Sequence, residues 1–171
     1  MTRAFASLNP QEALHVAISI EGRNAGIYQR FAEMFAEFSD AESLATAGVF
    51  WDMAVEEIRH RITLQGTYRE RYGNASCALT EEGVHEMIEL PTLELGDVFA
   101  AEETPNTSPR TRALQVALRA EQSAHDFYTR LVQQTEDGAL GRLYSELSLM
   151  EGDHVNYLQK MLTPSPAGAD K

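Results

Sequence analysis

The sequence has a single cysteine, Cys77, so no disulfide can close within the chain and no paired-cysteine zinc or rubredoxin knuckle can be built. As a lone thiol in a stretch that reads as loop, it is taken as incidental rather than catalytic. Long apolar runs are also missing. Nothing approaches the roughly 20 residues that cross a bilayer, and the opening MTRAFASLNPQEA carries no apolar signal-peptide segment. The expected setting is cytoplasmic, with no membrane partner. Basic runs are absent as well: 14 Lys and Arg face 26 Asp and Glu, a net charge of -12. That field repels nucleic acid and anionic membrane.

What remains is ordinary globular composition, 43% apolar and 23% charged. The 171 residues suit one domain, 1–171, able to bury about two-thirds of its unfolded surface. Punctuation divides it into four helices. Asn9 and Pro10 with Glu12 open a helix over 10–38, and Ser39 with Glu42 opens another over 40–72, closed by Gly73 and Asn74. Ser108 and Pro109 start a third over 109–136, and Asp137-Gly138 turns the chain into a fourth over 138–162, before Pro164. The segment 73–108, broken by Gly83, Pro91, Gly96 and Pro105, is too long for a hairpin and is expected to run the length of the bundle. A short helical piece is expected near 81–89, with Glu81, Glu82 and Glu86 on a solvated face. The tail 163–171 has little to bury and is expected to be mobile. The fold class is therefore all-α: a four-helix bundle with a long crossover between its second and third helices.

Each helix carries charge where its apolar stripe should be. Leu14, Ala17, Ile18, Glu21, Ala25, Tyr28, Ala32 and Phe35 step along one face of the first, and Phe50, Met53, Glu57, His60 and Leu64 along the second. The third gives Leu114, Ala117, Leu118, Glu121, His125, Tyr128 and Val132, and the fourth Leu143, Leu147, Met150, Glu151, His154 and Leu158. The halves repeat. Ala17, Glu21, Tyr28 and Arg30 recur 100 positions on as Ala117, Glu121, Tyr128 and Arg130, while Glu57, His60, Leu64 and Gln65 recur 94 positions on as Glu151, His154, Leu158 and Gln159. Duplication of a half-length unit accounts for both.

Burying one unpaired carboxylate costs several kcal/mol, and four converging in one core also repel one another. Arg23, Arg30, Arg119 and Arg130 fall off the central seam, so the compensating charge must come from elsewhere. A pair of divalent cations would balance four carboxylates, and two histidines complete the mixed oxygen and nitrogen ligation that suits iron or manganese. Glu and His three residues apart share a helix face, so both members of each Glu-x-x-His can reach one cluster.

The order Glu, Glu-x-x-His, Glu, Glu-x-x-His resembles that of the ferritin-like superfamily of di-iron and di-manganese bundles. Within it, IEGRNAGIYQRF, MAVEEIRHRI, AEQSAHDFYTRL and LMEGDHVNYLQ look most like the rubrerythrin branch, over roughly residues 10–162. The resemblance implies two iron ions, with manganese as the alternative, bound by Glu21, Glu57, His60, Glu121, Glu151 and His154. It implies that Glu57 and Glu151 bridge the ions and act in catalysis, with Glu21 and His60 completing one site and Glu121 and His154 the other. The activity implied is reduction of hydrogen peroxide or dioxygen. No rubredoxin domain is present, so electrons would come from an external donor such as a rubredoxin-like protein. The same ligands would serve a ferroxidase or iron-handling protein, a di-metal oxygenase or a manganese catalase, and a metal-free helical scaffold stands as the contrast to all of these.

Ala124 occupies the position where rubrerythrins carry an extra glutamate. His125 beside it is either a ligand, a hydrogen-bond partner of one, or a core histidine. Tyr28 and Tyr128, each two turns past a ligand, are either hydrogen-bond donors to ligating carboxylates or plain core tyrosines. Trp51 is expected in packing or an interface, Glu56 in solvent, and His15 and His85 at the surface without a role. A homodimer or larger homo-oligomer is expected.

Overall fold

The computed structural model describes residues 8–80, 83–84 and 107–163. Its helices are α1 (Pro10–Ala36), α2 (Ala41–Tyr72), α3 (Pro109–Gln134) and α4 (Gly138–Leu162), with no strand among the described residues. α1 packs along α2 and α3 along α4 as two hairpins, and α1 meets α3 where the pairs join. The chain is an all-α four-helix bundle. Most of the expected crossover, including Glu81, Glu82, His85 and Glu86, lies outside the described residues, as does the tail after Thr163. Of the crossover, Leu79 and Val84 are buried against the core.

Local chemistry sets the helix ends. At α1 the Asn9 side chain accepts from the Gln11 and Glu12 amides while the Glu12 carboxylate accepts from the Asn9 amide at 3.0 Å, so orphan donors are satisfied reciprocally. α1 stops at Ala36 rather than 38, and Phe38 is left exposed. The cap of α2 is Asp40 rather than Ser39: its carboxylate accepts from the Ser43 amide at 2.8 Å. An ionised acceptor there also gains from the helix dipole. α3 ends at Gln134 rather than 136, because Thr135 turns extended and Asp137 caps α4. Arg71 donates to both Asp137 oxygens, at 3.0 and 3.1 Å, tying the end of α2 to the start of α4.

The apolar core is divided in two. One cluster gathers Leu14, Ala17, Ile20, Leu64, Tyr128, Leu140 and Leu147; the other gathers Tyr28, Phe31, Phe35, Phe50, Leu114 and Leu158. Along every helix the charged residues of the stripe fall between the stretches that feed these two clusters. A polar belt thus crosses the middle of the bundle, closed from solvent at both ends by aliphatic and aromatic packing.

Candidate metal centre

Glu21, Glu57, Glu121 and Glu151 are each 0% exposed, one from each helix. Their ligand atoms and those of the histidines form two groups within 4.8 Å: Glu21, Glu57, His60 and Glu151, and Glu57, Glu121, Glu151 and His154. Glu57 and Glu151 belong to both. All six residues singled out from the sequence therefore stand in one place, divided into two groups as the resemblance implies.

The tyrosines lock the first and third helices across the belt. Tyr28 on α1 donates to Glu121 on α3, and Tyr128 on α3 donates to Glu21 on α1. Each hydroxyl thus holds one oxygen of the other half's carboxylate and leaves the second oxygen aimed inward. Both rings are fully buried, and burial, followed by the charge of the facing Glu121 or Glu21, pushes both phenols well above their ordinary range. They remain donors at any physiological pH.

The histidines face the belt through Nδ1. His60 Nδ1 is 3.3 Å from Glu21 and 3.4 Å from Glu151, and His154 Nδ1 is 3.3 Å from Glu121 and 3.6 Å from Glu57. The His60 contacts lie within Coulombic reach but are not aligned as hydrogen bonds. Both oxygens of Glu57, both of Glu151, Glu21 Oε2 and His60 Nδ1 are buried with no hydrogen-bond partner. Each such orphan costs on the order of 1–3 kcal/mol, more if charged.

Without ions the belt relieves its charge by holding protons. Burial, then repulsion from Glu151, Glu121 and Glu21, pushes Glu57 well above the carboxylate range, and burial also raises Glu121. Glu151 is depressed: burial opposes this, but the close approach of Glu121, His154 and His60 outweighs it. Burial would lower both histidines, yet neighbouring carboxylates lift His60 to about 9 and His154 to about 11. Carboxylates that are costly when ionised, beside imidazoles that give up Nδ1 protons, form a donor set that divalent cations satisfy in one step. The residues fit a metal site.

The outer nitrogens reach a cleft of about 500 Å³ lined by Glu56, Arg59, His60, Thr63, Met150, Asp153 and His154. Here the structure differs from two expectations. Glu56 is half exposed as its register requires, but its carboxylate accepts from His154 Nε2 at 2.7 Å instead of meeting only water. Met150, counted into the inner stripe, is 41% exposed with its sulfur 3.1 Å from His60 Nε2. Another residue was passed over. Asn24, one turn past Glu21 and one turn before Tyr28, is 0% exposed with both amide atoms unpartnered. The offset of 100 that relates Glu21 to Glu121 relates Asn24 to Ala124, and that comparison was the available signal.

His125 joins neither group. Its Nδ1 lies 2.7 Å from the Ser148 carbonyl oxygen, and its ring rests over Gly152, where a Cβ would come within 3.5 Å. Trp51 is exposed on α2.

No family model matches the chain, and no curated protein matches it. Solved structures that share the fold include the following two. An uncharacterized conserved protein from Magnetospirillum magnetotacticum MS-1 is 26% identical, with a TM-score of 0.70 over 95% of this chain and 100% of its own. A hypothetical protein from Pyrococcus furiosus is 21% identical, with a TM-score of 0.66 over 92% of this chain and 90% of its own. The class of protein that fold and site define is a four-helix bundle with a buried carboxylate and histidine cluster able to hold metal. No helix among the described residues is long and apolar enough to cross a membrane.

Proposed function

We propose that the chain is a ferritin-like di-metal oxidoreductase of rubrerythrin type that reduces hydrogen peroxide, or dioxygen, with electrons from an external donor. The observation that carries this reading is the pair of buried four-residue groups sharing Glu57 and Glu151, whose four oxygens lack any hydrogen-bond partner. Glu21, Glu57, His60 and Glu151 would hold one ion, and Glu57, Glu121, Glu151 and His154 the other. Iron fits the mixed donor set, with manganese the alternative.

When bound, a reduced iron pair supplies the two electrons that break the O–O bond of peroxide; with two protons from solvent the products are two waters. The protein's own part is positional. Glu57 and Glu151, free of hydrogen bonds, can shift between ions as charge changes, while Tyr28 and Tyr128 fix Glu121 and Glu21. Asn24, buried one turn past Glu21 with both amide atoms unpartnered, would be free to hydrogen-bond a bound oxygen species. A rubredoxin-like donor would restore the electrons.

A second reading, ferroxidase or iron handling, draws on the cleft, in which Glu56 and Asp153, together with Arg59, stand beside the two histidines where cations would enter. Stopped-flow spectroscopy after anaerobic ferrous loading separates the two. Many equivalents of peroxide consumed with added reductant support the first, and stoichiometric ferrous oxidation with accumulated ferric product supports the second. Absence of stoichiometric metal would remove both.

Self-association is proposed through α2. Leu44, Trp51, Ile58 and Ile62 are exposed at seven- and four-residue steps along one face, flanked by Asp52 and Arg59. Two antiparallel copies would set each Asp52 against the other's Arg59.

A further inference from the structure

The offset of 94 that carries Glu57 and His60 onto Glu151 and His154 also carries Glu56 onto Met150. In space these two equivalent residues keep equivalent places. Each sits at the cleft against the outer nitrogen of the opposite half's histidine: Glu56 Oε2 is 2.7 Å from His154 Nε2, and Met150 Sδ is 3.1 Å from His60 Nε2. The geometry is repeated but the chemistry is not.

That difference acts through the imidazole ring. A carboxylate accepting the Nε2 proton holds the ring in one tautomer, anchors its orientation and makes Nδ1 a stronger electron donor, whereas a thioether is a weak acceptor that does little of this. Glu56 also adds a negative charge on the His154 side that Met150 does not add on the His60 side. We infer that the two ion positions are unequal: the one on Glu121 and His154 binds more tightly and fills first, and the one on Glu21 and His60 is exchangeable. Glu56 is thus a positioning residue that ranks the two positions, and Met150 is the place where its counterpart is missing. The inference rests on the di-metal reading proposed above.

A carboxylate behind a ligating histidine is worth about 10–100-fold in metal affinity, and the two binding steps are expected to separate by about that factor. The test is anaerobic titration of the metal-free full chain with Mn(II) followed by calorimetry, repeated with Co(II) followed by its visible spectrum. Wild type should show two resolved steps, the tight one lost in His154→Ala and the weak one in His60→Ala. Glu56→Met should weaken only the tight step, and Met150→Glu should strengthen only the weak one. The double exchange, Glu56→Met with Met150→Glu, should reverse the order, so that the tight step now disappears in His60→Ala. Both residues are exposed, and helix content by circular dichroism serves as the folding control. Two ions bound with equal affinity in wild type, or an order that the double exchange does not reverse, would overturn the inference while leaving the di-metal reading in place. No bound ion, or two ions that survive Glu57→Gln undisturbed, would overturn the di-metal reading and this inference with it.

Discussion

Glu57→Gln tests the site most directly, because Glu57 is shared by both groups and makes no hydrogen bond that the fold relies on. The substitution keeps shape and removes one ligating charge. In the metal-free chain, burial and then the neighbouring carboxylates already drive Glu57 toward its neutral form. A neutral amide in its place should change stability by no more than about 1 kcal/mol, about 2–4 °C for a chain of this size. The loaded chain should behave otherwise. At an ion concentration of about 100 Kd each filled position stabilises by about 2.7 kcal/mol, a rise of about 5–11 °C. Wild type should show that rise for each ion and the variant neither. Thermal melts by circular dichroism, run with chelator and then with Fe(II) under argon or Mn(II) in air, read both quantities. An equal metal-induced rise in wild type and variant would refute the shared-ligand assignment. So would a metal-free variant melting more than about 10 °C lower, since Glu57 would then be an internal ion-pair partner on which the fold depends.

The metal-free chain should lose stability as pH rises from about 6.5 to 9, because His60, lifted from 6.5 to about 9 by carboxylates that override its burial, stabilises the fold only while protonated. His154 and the raised carboxyls of Glu57 and Glu121 act in the same direction, depressed Glu151 acts only below the ordinary carboxylate range, and a melting point that stays flat or climbs over this window contradicts the scheme. Tyr128→Phe frees Glu21 from its cross-bundle donor and should weaken the ion position on the Glu21 side by about 10–100-fold; Mn(II) titration with unchanged constants would show that the hydroxyl serves packing alone. Asn24→Leu removes a buried, unpartnered amide, so the metal-free chain should be as stable or gain about 1 kcal/mol while peroxide turnover falls; a destabilised variant with full turnover argues against the proposed contact. Ile58→Asp places a charge in the exposed stripe of α2 and should yield monomers by sedimentation, whereas a wild-type monomer, or an oligomer indifferent to the change, rules that face out.

The four helices were legible because their signals are local. Asn9 with Pro10 and Glu12, Ser108 with Pro109, and Asp137 with Gly138 act on backbone groups a few residues away. The cap of α2 was misplaced by one residue because Ser39 and Asp40 are both good cap residues and Glu42 completes the pattern only for Ser39, whereas the folded geometry selects the Asp40 carboxylate. The six residues of the cluster were legible for a related reason: an α-helix fixes the relation of Glu to His three positions on, and the repeat supplies the same pair twice. Glu56 and Met150 were not. Register on one helix correctly leaves Glu56 half exposed, but its partner comes from α4, about a hundred positions along the chain, and no periodicity reports that. Met150 satisfied the apolar stepping of its helix and still faces the cleft, because the Nε2 edge of His60 lies there.

The repeat therefore carries two kinds of information. Positions alike in both halves, Glu21 with Glu121, Tyr28 with Tyr128, and the two Glu-x-x-His pairs, build a cluster with near two-fold chemistry. Positions that differ, Asn24 with Ala124, Glu56 with Met150 and Arg59 with Asp153, surround that cluster and break its symmetry. The broken symmetry bears on which proposed activity dominates. Cleaving an O–O bond with two electrons needs both ions present together, while passing iron onward needs one ion to leave. A gap of about 10–100-fold between positions would permit both at different iron levels. Above the weaker dissociation constant the pair would be complete and peroxide could be turned over; between the two constants the Glu21 and His60 position would empty through the cleft while the Glu121 and His154 position would stay filled. Met150→Glu, by closing that gap, should extend peroxide turnover to lower iron concentrations and slow iron release to a chelator. If release instead stays as fast as in wild type, the outer partner of His60 does not govern the exchangeable ion.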